Sequence, residues 1–460
     1  MPLTTITIAN ASWTRVQYAT PPLEDLTNEG RRVGNEIDLK TSGESNMSTS
    51  NVMQIDGDRL WASLMSMAEI GATEKGGSRR LALTDEDRQG RDLFIEWCRD
   101  AGCGISIDQM GNIFARRPGR NPDAAPVVAG SHLDTQPTGG RFDGVYGVLT
   151  GLEVVRTLND RGMETEHPVE VVCWTNEEGS RFAPPMVASG VFAGIYELDF
   201  ALSRSDVDGN TLGEELKRIG YAGSETVGGR PLHAYFEAHI EQGPILVEDG
   251  QTIGIVTDAQ GQRWYELVLT GKESHAGPTP MDRRQDALLG AARVIDMVNR
   301  VGREHAPNAC STVGMIDSYP NSRNVIPGRV FLTIDLRHPD NEVLTTMSRR
   351  VEEEVAQIAK AGSLEFALEE IFYFAPVPFD QTCVSAVRSG VKKLGYDARE
   401  MITGAGHDAC FIAKAAPTSM VFIPCIGGVS HNEEEDIKPE WAHAGANVML
   451  HAIVEKAGGA

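Results

Sequence analysis

The stretch "GSHLDTQPTGGRFDGVYG", which runs from Gly130 to Gly147, decides the fold of this 460-residue chain. The apolar residues PVVA precede it, and a helix-like run (GVYGVLTGLEVVRTLNDRG) begins at its end. The next apolar run, PVEVVCWT at residues 168–175, is typical of a strand buried in a parallel sheet. Two later runs, AYFEAHI and TSMVFIPCI, fit the same sheet. This order of strand, loop, helix and strand predicts an α/β layered domain.

Residues 260–374 have a different pattern, which predicts a second domain. RWYELVLTGK alternates like a strand with one exposed face, and the segments after it predict the order strand, helix, strand, strand, helix, strand, which is the ferredoxin-like order. A chain of this length is too long for one compact core. We therefore expect a flexible tail at 1–54, one domain made of 55–259 and 375–460, and an inserted domain at 260–374.

Composition excludes several function classes. The formal net charge of -23 makes nucleic acids and anionic membranes poor partners. No run approaches the roughly 18 apolar residues that a membrane span needs, and the N-terminal residues lack the basic and apolar regions of a signal peptide. The seven cysteines are scattered without a CxxC pair, which favours free thiols in a reducing compartment. We expect a cytoplasmic protein.

Charged side chains follow the predicted strands at the points where the strands end. In open α/β sheets the ligands bind beyond the carboxyl ends of the strands, so we expect these side chains to converge at one edge. They are His132, Asp134 and Asp143 around the first loop, Glu177 and Glu178 after the second strand, His239 and Glu241 at the third, and His431 after the fourth.

Histidines and carboxylates in this combination indicate a binuclear metal site. Imidazole nitrogen and carboxylate oxygen suit zinc, manganese, nickel or cobalt, and one bridging carboxylate can hold two such ions about 3.5–4 Å apart. Each motif alone has an ordinary alternative: His132 as a loop histidine, Glu177 and Glu178 as a solvated turn. For the run HNEEED at residues 431–436, the acids Glu434, Glu435 and Asp436 are interpreted as a solvated charge run.

Taken together, eight motifs resemble the hydantoinase/carbamoylase branch of the M20 metallo-amidohydrolases. They are GSHLDT…GGRFDG, NEEGSRF, HIEQGP, SHAGPTPMDRRQDA, NVIPG, DLRHP, GAGHDA and GGVSHNEEE, in that order along the chain. The resemblance covers the chain from about residue 56 to its end. It implies an M20-type, zinc-peptidase-like catalytic domain, an inserted ferredoxin-like lid that also makes a homodimer, and two divalent metal ions (zinc, manganese, nickel or cobalt) per subunit.

The resemblance also implies a role for each metal-site residue. One ion has the ligands His132, Asp143 and His239, and Asp143 bridges to a second ion held by Glu178 and His431. Asp134 orients the imidazole of His132 from behind. Glu177 is the general base, which takes a proton from the attacking water and delivers it to the leaving nitrogen.

Further residues are implied to act on the substrate. His275 stabilises the oxyanion of the tetrahedral intermediate, reaching across from a dimer partner. Asn324 and Arg337 clamp the substrate carboxylate, for which the planar fork of arginine is suited. Gln242 touches the ureido group, and His407 lies near the site in a supporting role.

The function implied is hydrolysis of the carbamoyl amide bond of an N-carbamoyl amino acid, giving ammonia, carbon dioxide and the amino acid. The stretch GGSRRLALTDEDRQGRDLF resembles β-ureidopropionase sequences, and this resemblance alone favours N-carbamoyl-β-alanine as the substrate. N-carbamoyl-L-amino-acid hydrolase and allantoate amidohydrolase are alternatives. More distant ones are an M20 metallopeptidase with the same two-metal core and a metal-bound binding protein without activity.

Overall fold

The computed structural model describes residues 52–459. The predicted tail at 1–54 lies outside the described residues except for its last three positions. The helices are α1 (Gly57–Ala68), α2 (Asp85–Asp100), α3 (Val145–Asp160), α4 (Val187–Phe192), α5 (Leu198–Leu202), α6 (Leu212–Ile219), α7 (Ile245–Glu248), α8 (Ala287–Glu304), α9 (Asn341–Ala361), α10 (Gln381–Leu394), α11 (Asp408–Ile412) and α12 (Pro439–Ala457).

The strands form three sheets. They are β1 (Gly104–Ile107), β2 (Ile113–Arg117), β3 (Val127–His132), β4 (Val169–Trp174), β5 (Ala234–Ile240), β6 (Ile253–Ala259), β7 (Gly261–Thr270), β8 (Ser274–His275), β9 (Cys310–Thr312), β10 (Ile316–Tyr319), β11 (Val325–Ile326), β12 (Arg329–His338), β13 (Glu365–Phe374), β14 (Val377–Pro378), β15 (Ala398–Thr403) and β16 (Thr418–Ile423).

A nine-stranded sheet carries the strands that the sequence predicts for the α/β domain. Its order is β1-β2-β4-β3-β5-β16-β6-β14, and β15 also pairs with β6. Its centre, β4-β3-β5-β16, is parallel throughout. Every residue of these four strands is buried, as expected of strands covered on both faces. The α/β fold class is therefore confirmed.

Helices cover the parallel strands. The strongly apolar α3 follows β3 directly and packs on β3, β4 and β5, while α12 packs on α3 and on β3, β5 and β16. α12 begins at Pro439, whose missing N–H costs nothing at a first helical position. These contacts hold β3 and its following loop between rigid elements.

A five-stranded antiparallel sheet contains the strands of residues 261–374. Its order is β10-β12-β7-β13, with β9 also on β12. Helices α8 and α9 pack on β12 and β7 and bury the apolar half of the alternating strand β12. This is the ferredoxin-like arrangement expected from the sequence. A small ladder, β8 with β11, lies in the same stretch of chain.

The structure differs from the sequence expectation in detail. The sequence of residues 311–320, STVGMIDSYP, predicts the second strand of the ferredoxin-like order as one piece, whereas the structure forms the two short strands β9 and β10 there. Strands β6, β14 and β15 of the large sheet are not predicted. β6 and β7 are separated only by Gln260 yet belong to different sheets. The pattern of apolar and polar residues therefore does not show where the chain leaves one sheet and enters the other. Each of the two larger sheets has its own apolar core. Among residues 52–459, no helix combines the length and apolarity of a membrane span.

Candidate active site

The side chains at the strand ends converge at one edge of the nine-stranded sheet. His132 is the last residue of β3, His239 lies near the end of β5, and Glu177 follows the end of β4 by three residues. His431 lies in the segment after β16. Because β4, β3, β5 and β16 are parallel neighbours, their carboxyl ends meet at the same edge.

Asp143 lies at the centre of this cluster, and its two oxygens face different groups. Its Oδ1 lies 3.1 Å from His239 Nε2 and 3.8 Å from His132 Nε2. Its Oδ2 lies 3.4 Å from His431 Nε2 and accepts a hydrogen bond of 3.0 Å from Gln242 Nε2. A carboxylate placed in this way can contribute one oxygen to each of two sites.

Two groups of three side chains have the donor spacing of a metal site, and they share Asp143. The first is His132, Asp143 and His239; the second is Asp143, Glu178 and His431. The donor atoms of each group lie within 4.8 Å of one another. A third group, formed by Glu237, His239 and His407, is also compact.

Backbone carbonyls orient the two buried imidazoles. His132 Nδ1 lies 2.9 Å from the carbonyl oxygen of Asp134, and His239 Nδ1 lies 2.9 Å from that of Ile240. A carbonyl oxygen only accepts, so each Nδ1 donates its proton to that carbonyl, which leaves each Nε2 facing Asp143 as the nitrogen that could ligate a cation. The backbone N–H of Gly144 also lies beside His239 Nε2, at 3.3 Å.

Asp134 acts on the site differently from the sequence expectation. Its backbone carbonyl, not its carboxylate, takes the Nδ1 proton of His132. The carboxylate accepts the backbone N–H groups of Glu177 and Glu178, both at 3.2 Å. Asn176, with φ of 57°, makes the turn at this point. Asp134 thereby fixes the turn that sends the two glutamates in different directions.

The carboxylates of this cluster strongly favour a nearby positive charge. Burial, with the charges of Asp408 and Glu178, raises the pKa of Glu177 well above its usual value. Burial and Asp143 raise the pKa of Glu178 in the same way. Although burial alone would raise it, the imidazole of His239 holds the pKa of Asp143 well below its usual range.

The donor set fits divalent cations. Burial lowers the pKa of His132 to about 4, which keeps this imidazole neutral, as a metal ligand must be. Glu178 Oε1 is buried and has no hydrogen-bond partner among the described residues. Imidazole nitrogens with crowded, partly unpartnered carboxylates form a nitrogen and oxygen ligand set that suits zinc, manganese, nickel or cobalt.

A cavity of about 610 Å³ opens over this cluster. Its floor contains the metal-site candidates, with Glu177, Gln242 and His407 beside them. The opposite wall comes from the second sheet and from the segment after Glu178, and it is largely apolar. The apolar wall residues are Ala183, Pro184, Pro185, Met186, Tyr196, Phe200, Trp264, Ile371, Phe372 and Phe374.

Arg337 lies in this wall, whereas two other predicted substrate residues do not. The Arg337 guanidinium is held by Asp335 at 2.7 Å and donates to the carbonyl of Gly404 at 2.7 Å. His275 and Asn324 are exposed on the β8–β11 ladder, where Ala276 N donates to the carbonyl of Asn324. Arg337 and Asn324 are therefore not brought together within one chain, and the roles of His275 and Asn324 stay predictions.

His407, also predicted at the site, is buried above His239. The two ring centroids are 4.4 Å apart, and His407 Nε2 lies 3.0 Å from Thr403 Oγ1. Burial lowers its pKa well below the usual value, so the ring is neutral. Glu241, which also follows β5, accepts the N–H groups of Ile245 and Leu246 at the start of α7.

Sequence reasoning missed three residues of the site. Gln136, inside the opening loop, donates to Glu178 Oε2 at 2.6 Å. Ser430 Oγ lies 3.3 Å from Asp143 Oδ2. The interpretation of HNEEED as a solvated run is wrong for Glu435, which is 1% exposed and bonds to the Asp143 loop, while Glu434 is exposed. Its sequence neighbours are also acidic, so no local pattern distinguishes it.

Comparison with known proteins agrees with this geometry. The model of peptidase family M20/M25/M40 matches residues 128–455. The chain is 54% identical over 404 residues to an N-carbamoyl-L-amino-acid amidohydrolase of Rhizobium meliloti, covering 88% of this chain and 97% of the relative. It is 33% identical to an allantoate amidohydrolase of Bacillus subtilis, covering 85% and 95%.

A solved structure supports the same assignment. The crystal structure of a hydantoinase/carbamoylase family amidase from Burkholderia multivorans superposes with a TM-score of 0.85 at 65% identity, covering 88% of this chain and 98% of that one. The resemblance expected from the eight motifs is confirmed. The chain belongs to peptidase family M20/M25/M40 and, within it, to the hydantoinase/carbamoylase amidases.

Proposed function

We propose that this amidohydrolase cleaves N-carbamoyl-L-amino acids that carry an apolar side chain. The chain is a hydrolase of linear amide C–N bonds, as expected from the sequence. The observation that carries the proposal is the apolar wall that faces the two carboxylate–histidine groups across the cavity. Our sequence preference for N-carbamoyl-β-alanine gives way to the α-amino-acid alternative, which the name of the Rhizobium meliloti relative supports.

The wall supports an apolar substituent on the substrate. Trp264 and Phe372 pack with ring centroids 5.0 Å apart, and Tyr196 and Phe200 pack at 5.5 Å. N-carbamoyl-β-alanine has no side chain to cover these rings, and allantoate has a second polar ureido group instead. Burial of an apolar side chain stabilises a complex by about 1.5–3 kcal/mol. Such a surface therefore favours the apolar α-amino acids.

The chain's own residues supply binding and proton transfer. Two divalent cations, when bound, would supply Lewis acidity and lower the pKa of water; His132, Asp143 and His239 would hold one, and Asp143, Glu178 and His431 the other. Glu177 lies outside both groups, and its Oε2 is 3.5 Å from His132 Nε2. This carboxylate takes the proton of the attacking water and returns it to the leaving nitrogen.

Orientation of the substrate falls to the polar groups beside the metal ligands. Gln242 Oε1 is buried without a partner among the described residues, so it is available to accept an N–H of the ureido group. Arg337 presents its guanidinium from the wall to the substrate carboxylate. The apolar wall excludes water around the reacting carbonyl, which strengthens every electrostatic interaction in the cavity.

The domain and assembly proposals follow from the same geometry. We propose 55–259 with 375–460 as the catalytic domain and 260–374 as the inserted lid. In support, the chain changes sheets at Gln260 and returns after Phe374. We also propose a homodimer, in which the exposed His275 and Asn324 of one subunit would reach the cavity of the other subunit. The free state of all seven cysteines, which lie within the described residues, supports a reducing cytoplasm.

A substrate panel tests the proposal. Ammonia release is measured on manganese-loaded protein with the N-carbamoyl derivatives of L-methionine, L-phenylalanine, glycine and β-alanine, and with allantoate. N-carbamoyl-D-methionine is the stereochemical control. We expect kcat/KM for the apolar L-compounds to exceed that of the glycine derivative by about 10- to 100-fold, the value of one buried apolar side chain. Preference for the β-compound or for allantoate would overturn the proposal.

A further inference from the structure

The acidic run after His431 contains one residue that turns into the protein. Glu433 pairs with Lys75 at 3.4 Å, Glu434 is exposed, and Asp436 pairs with Arg141 at 2.9 Å. Glu435 alone of these four is buried, with 1% of its surface exposed. Its contacts therefore distinguish it from its acidic neighbours.

Both oxygens of Glu435 are used, and they join two distant loops. Oε1 accepts the backbone N–H groups of Phe142 and Asp143, each at 3.1 Å. Oε2 accepts the hydroxyl of Ser430 at 2.8 Å. One carboxylate thus fixes the backbone of Asp143 and the side chain of Ser430, next to His431, which lie 287 residues apart in sequence.

We propose that Glu435 is a positioning residue that fixes the bridging carboxylate of Asp143 relative to His431. The inference rests on the two-metal function proposed above. A bridging role requires Asp143 to keep one oxygen toward each group of ligands. Because Glu435 holds both the backbone of Asp143 and the loop of His431, it sets that orientation.

Glu435 also affects the hydrogen bond that Asp143 receives. Ser430 has one hydroxyl proton, and its oxygen lies 2.8 Å from Glu435 Oε2 but 3.3 Å from Asp143 Oδ2. The shorter contact takes the proton, which leaves a lone pair on Asp143 Oδ2 for a cation. Without Glu435 the hydroxyl turns to Asp143 and competes with the ion.

The chain makes room for this carboxylate at Gly140. A Cβ atom at position 140 would lie 2.1 Å from Glu435 Oε1, so any larger residue there displaces the glutamate. Gly140→Ala therefore disturbs the same contacts while Glu435 remains in the sequence. It provides a second, independent perturbation.

Cobalt binding to the full chain tests the inference. The metal-free wild type and the variants Glu435→Gln, Gly140→Ala and Glu434→Gln are titrated with Co²⁺. Competition with a chelator gives the dissociation constants, and the visible absorption band of bound Co²⁺ reports the geometry of its ligands. The rise in Tm on adding Co²⁺ measures how strongly metal binding stabilises the fold. Residues that support metal ligands typically contribute about 10- to 100-fold to metal affinity.

We expect Glu435→Gln and Gly140→Ala to weaken Co²⁺ binding by about 10- to 100-fold and to alter the absorption band, with Glu434→Gln unchanged. A merely structural role would lower the Tm of the metal-free variants and leave affinity and spectrum as in the wild type; that result overturns the inference. If either variant fails to fold, the other decides. Failure of the wild type itself to bind two ions would instead overturn the proposed metal centre.

Discussion

The substitution Glu177→Gln separates proton transfer from metal binding. Glutamine has the same shape and opens no cavity. Among the described residues, it removes the only carboxylate in the cavity floor that belongs to neither ligand group. General-base catalysis by one side chain contributes about 10²- to 10⁴-fold, which corresponds to about 3–5.5 kcal/mol of transition-state stabilisation. We expect kcat to fall by that factor while two metal ions remain bound.

The neighbouring Glu178→Gln is the matched control. It makes the same chemical change one residue away, but Glu178 lies in the second ligand group, 3.5 Å from His431 Nε2. We expect this variant to lose metal first and activity as a consequence. Ammonia release and metal content by mass spectrometry are measured on both. Activity of Glu177→Gln within tenfold of the wild type, or loss of its metal, would refute the assignment of the base.

Three further results are expected. Gly144 has φ of 68°, and a Cβ added there would lie 2.3 Å from His132, so Gly144→Ala should lower both Tm and metal content. The control Gly76→Ala, with φ of 88° and open space around it, should cost only the backbone strain of about 1–2 kcal/mol. Equal losses in the two variants would contradict this. Arg337→Ala should raise KM by about 10- to 100-fold with little change in kcat, because one hydrogen bond to a charged group contributes about that much to binding. An unchanged KM would exclude Arg337 as a ligand of the substrate carboxylate. Burial lowers the pKa of His239, but Asp143 outweighs it and raises the pKa to about 9. Because an imidazole that binds a metal must be neutral, metal affinity should rise with pH up to about 9. Calorimetry in two buffers should show that metal binding releases protons. An affinity independent of pH would contradict the assignment of His239 as a ligand.

Several site candidates were predictable from sequence because they lie at or just after the end of a strand. His132 ends β3, and Glu177 follows β4 by three residues, so an estimate of strand position also places the side chain. The eight motifs added the family, the fold class and the amidohydrolase activity, all of which are confirmed.

The cavity wall was not predictable in this way. Trp264 lies on the half-exposed face of β7, which alternation alone assigns to solvent. Its partner Phe372 comes from β13, about a hundred residues later, and the two meet only through strand pairing across the sheet. The substrate preference has the same limit, since side-chain recognition depends on tertiary contacts that no local motif contains, and the name of the Rhizobium meliloti relative favours the α-amino-acid alternative.

Glu435 shows a second limit. Solvated acidic runs and a buried acid among exposed ones have the same composition, and only the path of the loop decides which side chain turns inward. That path depends on Gly140 and on the N–H groups of the Asp143 loop, 292 residues away in sequence. The contact of Asp134 was not predictable either, because its backbone carbonyl, and not its carboxylate, accepts the hydrogen bond from His132 Nδ1.

The most direct test of the two-metal account is a titration of the metal-free protein with Mn²⁺, following ammonia release from N-carbamoyl-L-methionine. The account predicts no activity before metal is added and a plateau at two ions per chain, because Asp143 serves both ligand groups. Full activity without metal, or a plateau at a single ion with a second site that never fills, would contradict it.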